Sequence, residues 1–566
     1  MSDLTNPTQD AKVAELRVQE AEDLAKMLAE SKYNLPYADL STLSINTDAL
    51  KIIKESDARV AGMAGFKLIG KKVFVLVSAP RNPLVPQVIS EIKEKGFEPE
   101  LYMGSITSLE RAWGRYKEIS YAVETKAGLI GISDEELQLF MDKTKDIEEI
   151  KKLIAETTES EKSQGVSAVL EIIIAGALGL KASDIHIEPE ETGNTRLRFR
   201  LDGVLHDISF FNQQTYKLII SRLKLISGLK LNIKKGAQDG RFSIVTKNKE
   251  IEVRTSALPG PYGESIVMRL LDPDSIAIPL ESMGMEPRLL TILNEIIERP
   301  NGMILITGPT GSGKSTTLYA FLKKVNDPGT KIITIEDPIE YHLTGITQTQ
   351  VNEESGYTFL EGLRSALRQD PDIIMIGEIR DAETAKIAIN SSLTGHLVFS
   401  TLHTNSAAGA IPRMIDLGVN PKVIASALNT MIAQRLVRKL CKTCKKEVAP
   451  DDRQKKIIDS VMKSLELKKI PATDVDINKT WIPGDGCADC NNLKYKGRIG
   501  VFEAILMDGA VEALIDKNPS EREVLKAAIP QALLNMKEDG VLKVLRGVTS
   551  MDELERVVEV VALEDY

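Results

Sequence analysis

Leu16, Leu24 and Leu28 recur at near-helical spacing among Glu, Lys and Ala, which predicts a helix that stops near Asn34-Leu35-Pro36. Such a helix is either a solvated arm or a docking segment, and the pattern leaves both open. From residue 35 to 145 the rhythm changes. Lys72 to Val77 (KVFVLV) is a short apolar strand, three prolines break Ser78 to Pro86, Val88 to Lys95 is helical and stops at Gly96, and Glu98 to Met103 forms a second strand. Residues 146–164 lie in a stretch rich in Lys and Glu, which predicts a helical linker. Residues 165–275 open with an apolar helix, Val166 to Leu178, and then alternate. In Arg196 to Leu201 (RLRFRL), three arginines take one face of a strand while Leu197, Phe199 and Leu201 take the other. Residues 276–440 carry four apolar runs, Met303–Thr307, Lys331–Ile335, Ile373–Ile376 and Leu397–Leu402, each ending in polar residues. Uninterrupted apolar strands of this kind belong to a parallel sheet covered on both faces. Residues 441–566 end in a helical tail predicted over Val524–Met536 and Leu554–Leu563. The pattern thus predicts a multidomain α/β protein.

Composition narrows the class. A length of 566 residues gives three to five domains at roughly 150 residues each. With 43% hydrophobic and 27% charged residues, a disordered chain, a collagen-like fibre and a coiled-coil rod are excluded. The charge sum, 72 − 81 = −9, argues against a general nucleic-acid binder, so no direct nucleic-acid partner is expected. No run of apolar residues is long enough to span a bilayer, and MSDLTNPTQD lacks the basic-then-apolar order of a secretory signal. The expectation is a cytoplasmic protein that meets a membrane only through a partner.

The strand Met303–Thr307 runs into Gly308-Pro309-Thr310-Gly311-Ser312-Gly313-Lys314-Ser315-Thr316, a G-x-x-x-x-G-K-[ST] phosphate loop followed by a helical segment. Glycines let successive N–H groups curl around phosphates, and the helix adds its positive end. Lys314 brings a mobile cation, and the Ser315 hydroxyl suits Mg²⁺. The other strands end in Glu336-Asp337, Glu378 and His403. Ligands of parallel sheets sit at the carboxyl ends of strands, so these groups are placed to hold Mg²⁺ through water, orient the attacking water and sense a terminal phosphate. Taken singly, a carboxylate there is more often a cap, and a histidine more often structural. Their order within one stretch favours a site. Arginines at 241 and 254, in strand-like segments upstream, either face solvent or reach a phosphate. Arg364 and Arg368, four apart on a helix, have the same two readings. Cys441-x-x-Cys444 and Cys487-x-x-Cys490 use every cysteine in the chain, and their spacing favours a closed four-thiolate zinc site with a structural role over free thiols.

With these residues in place, the chain resembles the secretion ATPase superfamily of type II secretion and type IV pilus motors. GPTGSGKSTT is similar to its Walker A segment, TIEDPIEY to its Asp box, LRQDPDIIMIGEIRD to its Walker B, and GHLVFSTLHTN to its His box. SDIHIEP, RFRLDG, QDGRF and GESIVMRLLD resemble the preceding domain. Gly377 stands where an ordinary Walker B has Asp, so Glu378 must serve. LKYKGRIGVFE departs from the family's pattern only at Leu493 and Lys494. The resemblance implies an N-terminal tail and helix (1–34), an N-terminal α/β domain (35–145), the linker, a PAS-like α+β domain (165–275), a RecA-like P-loop ATPase domain (276–440), and a zinc-binding subdomain with C-terminal helices (441–566). The N-terminal domain and the cysteine pairs point to the assembly class. The implied function is a hexameric, cytoplasmic, ATP-hydrolysing motor for type IV pilus assembly, working through an inner-membrane platform protein. The alternatives are the type II secretion ATPase, a DNA- or effector-transfer coupling ATPase, and a nucleotide-gated scaffold. By resemblance Lys314 and Ser315 bind phosphate and Mg²⁺, and Glu336 activates water. Glu378 lies on the Mg²⁺ side, though these two roles are interchangeable. His403 reads the terminal phosphate, and Arg241 and Arg254 reach the nucleotide of a neighbouring subunit. The RLG-x-x-L repeats that bind a cyclic dinucleotide in some relatives are missing from the N-terminal part.

Overall fold

A computed structural model describes residue 19, residues 21–118 apart from 42, 44, 47, 48 and 51, and residues 129–130, 146–159, 165–245, 250–275 and 278–560. Its contacts separate two units, residues 1–124 and 125–566.

In the first unit, β1 (Met63–Ile69) pairs antiparallel with β2 (Lys72–Val77), and β2 pairs in parallel with β3 (Glu98–Met103). The helix Val85–Glu94 makes the crossover, with a proline in its first turn, where the missing N–H costs nothing. Val73, Val75, Val88, Ile92, Leu109 and Trp113 close the core. Residues 21–33 are helical and end at Asn34 in the left-handed conformation (φ 49°), next to Leu35-Pro36 as expected. This helix is docked. The Glu22 carboxylate accepts from Ser108 Oγ (2.9 Å), Thr107 Oγ1 (3.1 Å) and Ser105 Oγ at the start of the helix Ile106–Gly114. It also accepts from the Tyr37 hydroxyl, whose pKa is pushed well above its ordinary value by burial and by that carboxylate. Leu16 lies outside the described residues.

The second unit holds two large sheets. The first has the order β4-β8-β9-β10-β5-β6-β7, where β4 is Leu129–Ile130, β5 Asp184–Pro189, β6 Thr195–Leu201, β7 Val204–Phe211, β8 Gln238–Val245, β9 Glu250–Gly260 and β10 Gly263–Leu271. Leu197, Phe199 and Leu201 point into a core shared with the helices Gly165–Gly179 and Gln213–Ile226. The helix Ile147–Glu159 adds Ile150 and Ile154 to that core. The opposite face is polar. The register lines up Arg241, Arg254, Arg269, Asp184 and Arg200 on five neighbouring strands. Like charges side by side are destabilising, and Asp184 relieves part of this by binding Arg269 (3.0 Å) and Arg200 (3.1 Å).

The other large sheet has the order β13-β12-β14-β15-β11-β16-β19. Its strands are β11 (Gly302–Thr307), β12 (Ile332–Glu336), β13 (Thr347–Gln350), β14 (Ile373–Ile376), β15 (Leu397–Leu402), β16 (Leu428–Leu440) and β19 (Tyr495–Leu506). Every pairing is parallel except β16 with β19. Separate cores lie on its two faces, which is why these strands read as unbroken apolar runs. Between β16 and β19, β17 (Lys446–Val448) and β18 (Thr480–Ile482) form a small antiparallel pair. The tail differs from the helix expected over Val524–Met536. Helices span Glu521–Ala528 and Met536–Leu545, because Pro530 cannot continue the first and Asn535 caps the second by accepting from Glu538 N. Among the described residues the last helix is Met551–Glu555, so the helix expected over Leu554–Leu563 covers only Leu554 and Glu555: residues 556–560 leave it in a turn, and residues 561–563 lie outside the described residues.

Candidate functional site

β11 delivers the phosphate loop at its carboxyl end, where Gly308 (φ 147°) turns the chain. A Cβ on Gly308 would stand 2.7 Å from Gln434 O, so this wall of the loop admits only glycine. Gly313 (φ 89°) starts the helix Lys314–Val325 with no side-chain cap, leaving the first-turn N–H groups to a ligand. Lys314 Nζ donates to Gly308 O (2.8 Å) and Pro309 O (3.2 Å). Burial lowers its pKa, Glu378 works against that, and Arg435 adds to it. Ser312 Oγ is buried without a hydrogen-bond partner. Ser315 is exposed beside the lysine. An uncapped helix start, an orphaned hydroxyl and a lysine resting on two loop carbonyls fit a polyphosphate.

β12, β14, β15 and β11 are consecutive in the sheet, so Glu336, Glu378, His403 and the phosphate loop follow one another along one edge. Glu378 Oε2 lies 3.0 Å from His403 Nε2, and its other oxygen accepts from Arg380. Burial raises the Glu378 pKa, but the bonds from Arg380 and His403 outweigh it and hold the carboxyl below its ordinary range. Glu336 is buried, 5% exposed, and its oxygens are taken. It accepts from Thr334 Oγ1 (2.6 Å), Gln348 Nε2 (3.0 Å) and the Tyr319 hydroxyl. Burial and the Glu336 charge drive the Tyr319 pKa far up, so the tyrosine stays a donor. Of the two carboxylates, Glu378 faces the lysine and Glu336 is sequestered.

The arginines divide. Arg254 donates to Glu340 Oε2 (3.1 Å) and Ile339 O, just past β12, and to Glu252 (3.1 Å). Arg241 is exposed and makes no hydrogen bond or ion pair among the described residues. Arg364 pairs with Glu361 (2.8 Å), and Arg368 donates to Ser365 Oγ (3.0 Å). Sequence reasoning passed over Tyr319, Gln348, Gln434 and Arg435. The last two lie on β16, whose register sets Ala433 beside Thr307. The available signal was a Gln-Arg pair interrupting an apolar strand.

The four cysteine sulfurs lie within 4.8 Å of one another. Cys441 to Cys487, Cys444 to Cys490 and Cys487 to Cys490 are 3.7, 3.8 and 3.7 Å apart. A tetrahedron with Zn–S bonds of about 2.3 Å has edges of about 3.8 Å, so these three edges fit a zinc ion among the four sulfurs.

The profile of the type II/IV secretion system protein family matches residues 159–556. The chain belongs to that family. Type II secretion system protein E of Dickeya dadantii is 39% identical over 484 residues, covering 85% of this chain and 90% of that protein. The type IV pilus assembly ATPase PilB of Myxococcus xanthus is 34% identical over 525 residues, covering 92% and 89%. The solved structure of the Legionella pneumophila ATPase DotB (21% identity, TM-score 0.50, 71% of this chain and 98% of that one) shares the fold. As a member of the type II/IV secretion family, the chain is an ATP hydrolase of the secretion and pilus motor class. Among the described residues, no helix is long and apolar enough to cross a membrane.

Proposed function

We propose that this secretion-family ATPase is the assembly motor of a type IV pilus. The observation that carries the mechanism is the succession of Glu336, Glu378, His403 and the phosphate loop on four adjacent parallel strands. Residues Gly308 to Thr316 hold the triphosphate, with Lys314 exchanging its two loop carbonyls for the outer phosphates. The Ser315 hydroxyl would hold Mg²⁺, which would supply charge neutralisation at the transferred phosphoryl group. Glu378, aligned by His403, is the carboxylate that faces this chemistry in the arrangement described. Glu336 takes part once Tyr319 and Gln348 release it. Arg241 and Arg254 complete the pocket of a neighbouring copy in a ring of six, which makes hydrolysis a movement between subunits. The cysteine quartet holds zinc. A membrane platform protein receives the motion.

The pilus reading is supported by the PilB relative, which aligns with 92% of the chain. The higher identity to type II secretion proteins favours the second reading, a motor for secretion. Deleting the gene in its host and scoring surface pili against export of secreted enzymes separates the two. For the chemistry, Lys314→Ala is expected to abolish ATP turnover by the purified chain, and Glu378→Gln to cut it by about a hundredfold or more while nucleotide still binds. Wild-type turnover in either variant would remove that residue from the mechanism.

A further inference from the structure

β16 lies directly beside the phosphate-loop strand, and its residues just past Ala433 face the loop itself. Gln434 accepts from Thr317 Oγ1 (2.8 Å) in the first helical turn, and its carbonyl walls Gly308. Arg435 reaches the same place from the next position. A Cβ on Gly308 would stand 3.2 Å from Arg435 Nη1. The guanidinium donates through Nη1 to Gln434 O (3.0 Å) and through Nη2 to Asn405 O (2.9 Å) and Oδ1 (3.4 Å). Asn405 is two residues beyond His403, and Ser406 O accepts from Thr307 Oγ1 (3.2 Å) at the end of β11.

The partners are all neutral. Arg198, Arg254, Arg380 and Arg438 each hold a carboxylate. Arg435, half-buried, has none within ion-pair distance among the described residues. Burial lowers its pKa, and only the nearby charge of Glu503 opposes that. Its charge also weighs on Lys314, so two cations share the rim of the cradle. A half-buried guanidinium satisfied only by carbonyls retains its appetite for a bidentate anion.

We propose that Arg435 is a second cation of the phosphate site, supplied by the same chain, which engages the terminal phosphate of ATP and ties it to the loop after His403. This rests on the ATP-hydrolase reading of the loop and adds a residue to it. A strut that merely held Asn405 would serve ATP and ADP alike. A cation aimed at the terminal phosphate discriminates between them.

The test uses the purified full-length chain with Mg²⁺, titrated with a non-hydrolysable ATP analogue and, separately, with ADP. Arg435→Met is expected to weaken the ATP analogue by about tenfold or more and ADP by less than about threefold. Arg435→Lys keeps the charge without the fork and is expected to fall between wild type and Arg435→Met for the ATP analogue. Melting temperature without nucleotide checks folding. If the methionine variant does not fold, the lysine variant carries the comparison, with a loss of about threefold or more confined to the ATP analogue. Equal losses for both nucleotides, or no loss for either, overturn the proposal and leave the ATPase reading standing. Wild type that binds neither nucleotide overturns both.

Discussion

Glu503 shows what a single residue costs when a charge is kept inside. It is 7% exposed on β19, and its oxygens accept Ala407 N (2.8 Å) and Met536 N (3.4 Å), which ties the loop after His403 to the helix Met536–Leu545. Burial raises its pKa, and the two N–H donors only partly offset this. A carboxyl whose folded pKa lies above its unfolded value contributes most at low pH and loses that contribution as pH rises through the folded value. Glu503→Gln keeps an acceptor for Ala407 N and removes the charge. The variant is therefore expected to melt above wild type at pH 8, by on the order of 2 °C, with the gap shrinking toward pH 5. Melting curves across that range measure it, and a gap that widens toward acid would reverse the assignment. Glu378 has the opposite sign. Arg380 and His403 hold its pKa down, so its contribution is present above the ordinary carboxylate range and fades in acid. Neither sign can be read from the chain. Glu336 and Glu378 look alike in TIEDP and IMIGEIRD, and only tertiary neighbours make one a sequestered acceptor and the other a half-buried partner of histidine.

At the scale of elements, local chemistry was the legible part. Gly308 to Thr316 between a strand and a helix, the apolar runs of β11, β12, β14 and β15, and the alternation in β6 are each specified by residues a few positions apart. The apolar spacing over Val524–Met536 suggests one helix, but Pro530 ends the first before Asn535 starts the next. The row of arginines on β8, β9 and β10, and the place of Arg435 beside Gly308, depend on which strands become neighbours, and periodicity carries no such information. The cysteine pairs lie between these cases. Their spacing names a zinc site, and the fold brings Cys441 and Cys444 at the end of β16 against Cys487 and Cys490 before β19. One ion there would close a loop of more than forty residues at its base, so removing it would free both strand ends. Elemental analysis is expected to find about one zinc per chain, and strong chelation is expected to lower the melting temperature by roughly 5 °C or more. A chain that carries no metal as purified and melts unchanged with chelator would mean that the thiols are simply packed.

At the scale of the whole molecule, the two arginines of β8 and β9 differ in how they are held. Arg254 is engaged within its own chain by Glu340 and Ile339 O, while Arg241, directly across from it on β8, is exposed and holds nothing among the described residues. An exposed arginine left without a partner among the described residues, at the end of an otherwise paired row, is the arrangement expected if that arginine belongs to the pocket of the next copy. Mixing decides this. Chains carrying Lys314→Ala lack the phosphate cation but retain the arginine. Chains carrying Arg241→Ala lack the arginine but retain the cradle. If each pocket draws on two subunits, co-assembled rings contain some interfaces with an intact cradle from one variant and an intact arginine from the other. An equal, random mixture recovers about a quarter of the wild-type interfaces, because each position is filled correctly half the time. ATP turnover after co-refolding or co-expression is thus expected to rise well above the mean of the two variants assayed alone, and a control mixture of Lys314→Ala with a doubly substituted chain should show no rise. If the mixture never exceeds that mean, Arg241 serves its own chain or none, and the motor must couple its subunits through contacts other than a shared pocket.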